Sequence, residues 1–460
     1  MDKQLTAVDF ITEIGDDYGI FMNSGNGVRQ MTFKDLKGHL TDNDDLILNE
    51  LAFYMDINKG SSFSSNAASR VDVGGNMHMR QLWEDAGRSI LMDANGNYCE
   101  LSKLDSRYTV DGEYILTAEG ALKSAFAHGD MMKIIPQTYG RLQTVGTGAG
   151  QFIRLWLSLA PLPGGFIIPR QVVGKFKCSI SDSKLRSLPG VVTADTHTIK
   201  SFWDLAQARS SNHGLANMDF RNYLIFHMMS KYAWRDSQAC KTGDNSLVWG
   251  VGLDGSESAS DAFNRQKSIK TGATLALGDQ DGKAEVLDSN SDTVHSVNVA
   301  GFENPWGQKW EMVQGLCSVG TDVYCWRSNF MPSENQPTAA TFVDGEVQIV
   351  EHVKLTRSTR PSNTAPLPTA MNIVADGILK GVYFVPETTN ADIAYGDGWY
   401  YDASGQLWRF GGASRNGAGC GLASADSDVA WTYSSAAGSA RLAYYGSLNK
   451  VTTARFKQLA

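Results

Sequence analysis

The ten residues 301–310, Gly-Phe-Glu-Asn-Pro-Trp-Gly-Gln-Lys-Trp, constrain the fold of this chain more than any other part of the sequence. Asn304 and the proline after it favour the start of a turn, and Gly307 permits a tight backbone immediately beyond. Trp306 and Trp310 carry large rings that are stable only when buried. The stretch therefore predicts a turn-rich core organised by two tryptophans.

Glu303 lies in the middle of this stretch. A buried carboxylate that accepts backbone N–H bonds can hold neighbouring loops in place. We expect Glu303 to anchor the turn in this way, and a catalytic acid is the alternative.

The tryptophans also divide the chain unevenly, since ten of the eleven lie beyond residue 128. A length of 460 residues suggests two to four domains at roughly 150 residues each. We therefore expect a β-rich attachment or oligomerisation domain at residues 1–128, followed by a second domain at residues 129–460.

Local signals indicate both helices and hairpins. Thr198 and Asn217 each precede a segment with helical spacing of its apolar residues, with Phe220 on the inner face of the second helix. Turn residues at 23–27 and 93–97 separate short apolar runs and predict β-hairpins. Two helices followed by a long, loop-heavy half indicate an α+β fold.

Composition excludes several classes of function. The net charge of -8 is spread along the chain, which argues against a nucleic-acid partner. The sequence has no apolar stretch of about 18 residues and no secretory signal at its start, so we expect neither membrane insertion nor export by that route. Six cysteines without a C-x-x-C pair predict buried thiols rather than a zinc site.

Three patterns in order carry a resemblance to a known family. They are residues 129–139 (GDMMKIIPQTY), residues 301–315 around Glu-Asn-Pro-Trp-Gly, and the segments Trp408–Gly412, Asn416–Ala418, Cys420–Leu422 and Ser439–Leu442. Together these resemble the C-type-lectin-like variable proteins of diversity-generating retroelements. That family includes phage tropism determinants and overlaps the fold of formylglycine-generating enzymes.

The resemblance implies a C-type-lectin-like domain with long loop insertions and a variable region at about 408–446. It also implies a structural framework of nine residues: Glu303, Asn304, Trp306, Gly307, Trp310, Trp408, Gly411, Gly412 and Arg441.

In this family a retroelement mutates adenines, so asparagine codons of the AAC type become NNC codons. Such codons never encode Lys, Glu, Gln, Met or Trp. From Leu407 to Asn449 the chain contains no Lys, Glu, Gln or Met, although Met occurs 15 times overall, and Trp408 and Trp431 are then framework. A plain Gly, Ala and Ser surface loop is the alternative explanation.

The variable positions that the resemblance implies all carry residues that an NNC codon can encode. They are Ala413, Arg415, Gly419, Ser424, Asp426, Asp428, Val429, Tyr433, Ser435 and Ala437. One aromatic ring among short polar side chains is typical of antibody binding loops. These positions predict ligand binding rather than chemistry.

Related enzymes provide the main alternative function. Sulfoxide synthases need a His-x-x-x-His-x-Glu iron site, and none of the eight histidines has that spacing. Formylglycine-generating enzymes need a close cysteine pair late in the domain, where this chain has Cys420 alone. We therefore expect no catalytic residue, cofactor or metal.

The sequence thus predicts a receptor-binding protein of a phage tail, made in the bacterial cytoplasm and carried in the virion. Its expected partners are a host cell-surface receptor, other tail proteins and two further copies of itself, because a trimer raises avidity. A formylglycine-generating-like oxidoreductase and a surface adhesin unrelated to phage remain the alternatives.

Overall fold

The computed structural model describes most of the chain. The described residues are 19–24, 27–32, 44–57, 71–147, 151–235, 237, 241–242, 245–246, 269–287, 293–320, 322–342, 347–350, 367–390, 399–401, 405–413 and 420–459.

Short β-strands form most of this part of the chain. Numbered along the sequence, they are β1 Gly19–Ser24, β2 Gly27–Thr32, β3 Phe53–Asp56, β4 Val73–Gly75, β5 Arg88–Met92, β6 Asn97–Glu100, β7 Asp130–Ile135, β8 Thr138–Val145, β9 Phe152–Ser158, β10 Phe166–Ile168, β11 Gln171–Gly174, β12 Ser179–Ser181, β13 Lys184–Arg186, β14 His213–Leu215, β15 Lys241–Thr242, β16 Asn245–Ser246, β17 Gly282–Leu287, β18 Thr293–Val299, β19 Phe302–Glu303, β20 Trp310–Val319, β21 Asp322–Cys325, β22 Gln348–Val350, β23 Leu367–Ile373, β24 Tyr383–Asn390, β25 Trp399–Tyr401, β26 Leu407–Gly411, β27 Gly421–Val429, β28 Gly438–Ala440, β29 Leu442–Tyr444 and β30 Asn449–Lys450.

Five α-helices accompany these strands in the described ranges. They are α1 Asp44–Leu51, α2 Met77–Asp85, α3 Ile199–Gln207, α4 Met218–Tyr232 and α5 Thr453–Lys457. The protein is therefore mostly β-sheet with a few helices, which agrees with the α+β class. None of these helices is both long and apolar enough to cross a membrane.

The two predicted helix starts are confirmed by their caps. The Thr198 hydroxyl accepts a hydrogen bond from the backbone N–H of Ser201 at 3.1 Å, immediately before α3. The Asn217 side-chain oxygen accepts from the N–H of Asp219 at 3.0 Å, at the start of α4. Each cap satisfies a backbone donor that the first helical turn leaves without a partner.

Helix α4 differs from the prediction in one respect. Thirteen of its fifteen residues are buried, so all of its faces are covered rather than one. Several of its polar side chains have partners inside the protein. The Arg221 guanidinium, for example, donates to the carbonyl oxygens of Pro305 and Leu422, each at 2.8 Å. The helix therefore lies inside the protein, and it does not have one buried and one exposed face.

Both predicted hairpins are present. β1 pairs with β2 from Gly19↔Thr32 to Ser24↔Gly27, and β5 pairs with β6 around the turn at 93–97. In that second turn Gly96 has φ 85°, a left-handed conformation that favours glycine.

One seven-stranded sheet, which we call sheet A, joins distant parts of the chain in the order β14-β29-β11-β7-β5-β6-β30. β5 pairs with β7 along its whole length, and β6 pairs with β30 near the C-terminus. Residues on both sides of position 128 therefore belong to one sheet. The expected division between residues 1–128 and 129–460 does not coincide with a boundary between sheets.

A second seven-stranded sheet, sheet B, carries the C-terminal segment. Its order is β22-β21-β20-β26-β27-β25, and β28 pairs in parallel with β20 beside this path. A five-stranded sheet, β10-β8-β9-β3-β4, packs its apolar residues into the same hydrophobic core as Trp306 and Trp408. Sheet B therefore has a buried support from several regions of the chain.

Candidate ligand-binding site

Glu303 anchors the turn as the sequence predicted. Its Oε1 accepts the backbone N–H of Gly272 at 3.0 Å, and its Oε2 accepts the N–H and the hydroxyl of Thr274 at 2.8 and 2.9 Å. Burial raises the pKa of the Glu303 carboxyl, and the hydrogen bonds from Thr274 and Gly272 oppose that rise. All three donors are used to hold two loops together, which confirms the anchoring role.

The turn that follows Glu303 has the predicted geometry. Asn304 has φ 47° and Gly307 has φ 66°, so both adopt the left-handed region, and the Asn304 side-chain oxygen accepts the N–H of Val297 at 2.9 Å. Trp306 and Trp310 have 0% of their surface exposed. The backbone therefore reverses sharply around two buried rings.

Arg441 connects this turn to sheet B from inside the core. Its Nε pairs with the Glu311 carboxylate at 3.1 Å, where both side chains are fully buried. Its Nη2 donates to the Glu303 carbonyl at 3.1 Å, and its Nη1 donates to the Gly174 carbonyl at 3.0 Å. The guanidinium of Arg441, the residue between β28 and β29, therefore bonds to residues of β11, β19 and β20.

The other framework residues hold the edge of β26 against the same turn. Gly411 and Gly412 have φ of 88° and 74°, and the N–H of Gly307 donates to the Gly411 carbonyl at 3.0 Å. The Trp408 ring N–H donates to the Ser318 hydroxyl at 2.8 Å. The predicted framework residues therefore converge in the interior.

A second buried guanidinium lies at the centre of the C-terminal segment. Arg409 Nη2 donates to the Asp426 carboxylate at 2.7 Å and lies 3.4 Å from the Asp428 carboxylate. The Arg409 guanidinium also stacks 5.2 Å from the Trp310 ring and 4.5 Å from the Tyr433 ring. We call these five residues the Arg409 cluster.

The two carboxylates of this cluster are electrostatically different. The Asp426 side chain is fully buried, whereas that of Asp428 is 22% exposed. Burial raises the pKa of the Asp426 carboxyl to about 7; Arg409 opposes the rise, and the nearby Asp428 carboxyl reinforces it. Burial thus favours the neutral form of Asp426, whereas Asp428 remains in contact with solvent.

Some buried polar atoms in and next to the cluster have no hydrogen-bond partner among the described residues. Within the described residues, Arg409 Nε and Nη1 and the Ser424 hydroxyl are buried without a hydrogen-bond partner. Most buried polar groups in proteins have one. These three atoms therefore call for an explanation that the contacts within the cluster do not supply.

Of the eight predicted binding positions that the structure describes, three contact the Arg409 guanidinium: Asp426, Asp428 and Tyr433. Four of the eight are buried: Ala413, Ser424, Asp426 and Ala437. Four are partly exposed: Asp428, Val429, Tyr433 and Ser435. Arg415 and Gly419 lie outside the described residues. The buried four do not offer a ligand-facing side chain in this conformation; Ala413 and Ala437, for example, pack against the Trp310 ring.

Residues 428–436, which we call the rim, form the accessible surface of the site. The side chains between the predicted positions are exposed here: Ala430, Thr432, Ser434 and Ala436. The rim is fixed at its far end, because the N–H of Trp310 donates to the Ala437 carbonyl at 2.8 Å. The rim thus presents short side chains and one tyrosine beside the buried ion pair of Arg409 and Asp426, which we call the floor.

Sequence reasoning missed the central position of Arg409. The available signal was the alternation of Ser424, Asp426 and Asp428, since alternate residues of a strand share one face. Two acidic side chains on one buried face need a cation nearby. Arg409 on the adjacent strand, whose register is Arg409↔Asp426, meets that need.

The cysteine environment bears on the enzyme alternative. The five cysteines that the structure describes are buried thiols, as predicted. The Cys420 thiol donates to the Ala413 carbonyl at 2.8 Å, which places it beneath the surface. Across the described ranges, no three His, Cys, Asp or Glu side chains are grouped as a metal ion would require.

Comparison with known proteins adds no relative to this description. Neither the protein-family models nor the curated proteins compared with the chain match it.

Proposed function

We propose that this chain is a receptor-binding protein of a phage tail, with a C-type-lectin-like domain whose C-terminal segment is diversified by a retroelement. The observation that supports it best is that three of the described binding positions, Asp426, Asp428 and Tyr433, contact the Arg409 guanidinium. Two more, Ala413 and Ala437, pack against the Trp310 ring beside it.

The chemistry of the site also favours binding over catalysis. Arg409 and Asp426 are buried and pair with each other, whereas Asp428, Val429, Tyr433 and Ser435 are partly exposed. A tyrosine presents a rigid ring at low entropic cost, and small neighbours adapt to a ligand around it. Because the framework is ordered before binding, little further ordering is needed.

In this proposal the framework stays constant while the rim changes. The host receptor binds at the rim. Because the chain forms a homotrimer on the tail, several weak contacts act together and raise the overall avidity.

The binding site is tested by changing Tyr433 to alanine in the purified full-length protein. We expect adsorption to bacterial cells to fall by about tenfold or more, since aromatic residues at the centre of an interface carry much of its energy. The assay measures binding to a panel of intact bacterial strains, with circular dichroism to verify folding.

Tyr108→Ala is the matched control, because Tyr108 is also a surface tyrosine and is 37% exposed. Equal adsorption of the Tyr433→Ala variant and the wild type would place the binding site elsewhere.

The diversification half of the proposal is tested at the DNA level. A template repeat near the gene should match the codons for residues 408–446 and differ from them only at adenines. A locus with neither a reverse-transcriptase gene nor such a repeat would contradict diversification without affecting the binding result.

A further inference from the structure

A cleft of about 230 Å³ lies away from the rim, where sheet A meets the start of helix α4. β11 and β29 form its base through the pair Val173↔Ala443. Its volume is below the roughly 300–1,000 Å³ of sites that take drug-sized ligands. A single small molecule or one sugar residue fits it.

The polar wall of the cleft is built from an ion pair at the first turn of α4. Arg327 Nε and Nη2 donate to the Asp219 carboxylate at 2.7 and 2.9 Å, in a two-pronged pair. The third nitrogen of Arg327, Nη1, donates to the Ile378 carbonyl. This arginine is fully engaged, so the pair forms a rigid wall without net charge.

A second arginine leaves the cleft positively charged. Arg170 lines the opening, and its side chain is exposed. With Arg327 neutralised by Asp219, the charge of Arg170 is in excess among the described lining residues. An anionic group entering the cleft therefore meets a cation that it does not have to displace from a partner.

Two side-chain amides complete the polar lining of the cleft. The Asn217 side-chain oxygen faces the helix and accepts the N–H groups of Asp219 and Phe220, so its amide nitrogen points the other way. The Gln171 side-chain nitrogen is buried and has no hydrogen-bond partner in the described part of the chain. The Asn217 amide is therefore the donor available to a ligand oxygen, whereas the Gln171 side chain must move before its nitrogen can donate.

The aromatic side of the cleft contributes ring surface rather than hydroxyl groups. The Tyr445 hydroxyl donates to the Leu215 carbonyl at 2.7 Å, and the Tyr444 hydroxyl donates to the Ser447 carbonyl at 3.1 Å. Ala443 extends this apolar surface. The cleft thus combines a positive charge and an amide donor with apolar surface.

We propose that this cleft binds the carboxylate group of a small acidic ligand with an apolar body. The carboxylate pairs with Arg170 and accepts a hydrogen bond from the Asn217 amide. The apolar body packs on Ala443 and the tyrosine rings. This site and the rim share no residue, so each proposal stands or fails separately.

The test compares acids with neutral molecules of the same shape. The full-length protein is titrated by calorimetry with benzoate and benzamide, and with glucuronate and glucose. We expect benzoate to bind at least about tenfold more tightly than benzamide, because hydrogen bonds to charged groups are the stronger kind. Tighter binding of glucuronate than of benzoate would contradict the apolar body of the proposed ligand.

Variants assign the effect to the cleft. Arg170→Gln should remove the preference for benzoate over benzamide, and Arg455→Gln, which changes an exposed arginine on α5, should retain it. Equal affinities for acid and neutral partner in the wild type would overturn the proposal. A preference that survives in Arg170→Gln would overturn it as well.

Discussion

Replacing Asp426 with alanine removes the carboxylate that lies 2.7 Å from the buried Arg409 guanidinium. Two Arg409 nitrogens already lack a hydrogen-bond partner in the described residues. In the variant, the carboxylate that remains beside the buried cation is that of Asp428, at 3.4 Å. Breaking a buried pair costs about 3–5 kcal/mol. We expect the free energy of unfolding to fall by about 3 kcal/mol, because Asp428 still offsets part of the charge.

Asp428→Ala provides the matched control on the same strand. Asp428 is 22% exposed and makes the longer contact with Arg409. Ion pairs of this exposed kind contribute about 0–1 kcal/mol. The double variant Arg409→Met/Asp426→Leu should recover most of the loss, since apolar residues of similar volume often replace a buried pair without cost.

Urea unfolding followed by tryptophan fluorescence measures these differences, because Trp310 lies against the guanidinium. If Asp426→Ala and Asp428→Ala cost the same within about 0.5 kcal/mol, the reasoning is refuted. Asp426 would then tolerate variation as freely as the exposed rim positions.

The same pair predicts a pH dependence. Burial raises the pKa of Asp426 to about 7, so the folded state binds this proton more tightly than the unfolded state does. The group therefore lowers stability progressively as the pH rises from about 4 to about 7. Asp426→Asn should remove this slope, and a stability difference from wild type that is constant over the range would contradict the assignment.

Two further predictions concern buried groups outside the cluster. Glu303→Gln places an amide N–H₂ against the donors of Thr274 and should lower the free energy of unfolding by about 1–3 kcal/mol in urea titrations, whereas the exposed control Glu113→Gln should not. Equal midpoints for the two variants would contradict the anchoring role. Burial lowers the pKa of His213 to about 4, so the unfolded state gains its proton first and stability falls as the pH drops from about 6.5 to about 4. His213→Gln should reduce this fall in the free energy of unfolding at acidic pH. An unchanged fall in the variant would show that other groups cause it.

Features governed by neighbouring residues were predictable from the sequence. The caps at Thr198 and Asn217, the turn at 93–97 and the sharp turn after Glu303 depend on chemistry within a few positions. Each of these was identified with the correct type of structure.

Features that join distant segments were not predictable. Sheet A pairs Asn97 with Asn449, and the cleft beside Arg170 draws on β11, α4, Arg327 and β29. No local pattern records which strand edges meet, because long-range pairing is decided by packing of the whole core. For the same reason the expected boundary at residue 128 falls inside a sheet.

If the C-terminal segment is a variable site, as we propose, its division into floor and rim limits how it can change. Tyr433 can be replaced without breaking a buried ion pair, whereas a change at Asp426 leaves the Arg409 charge without its nearest partner. Such a loss is a large fraction of the about 5–15 kcal/mol that stabilises a typical domain. Variation that preserves folding should therefore concentrate at residues 428–436 and spare Asp426, although both belong to the same codon-compatible segment. If natural variants change Asp426 as often as Tyr433, Arg409 must have a second way to satisfy its charge, and the floor is then part of the binding surface.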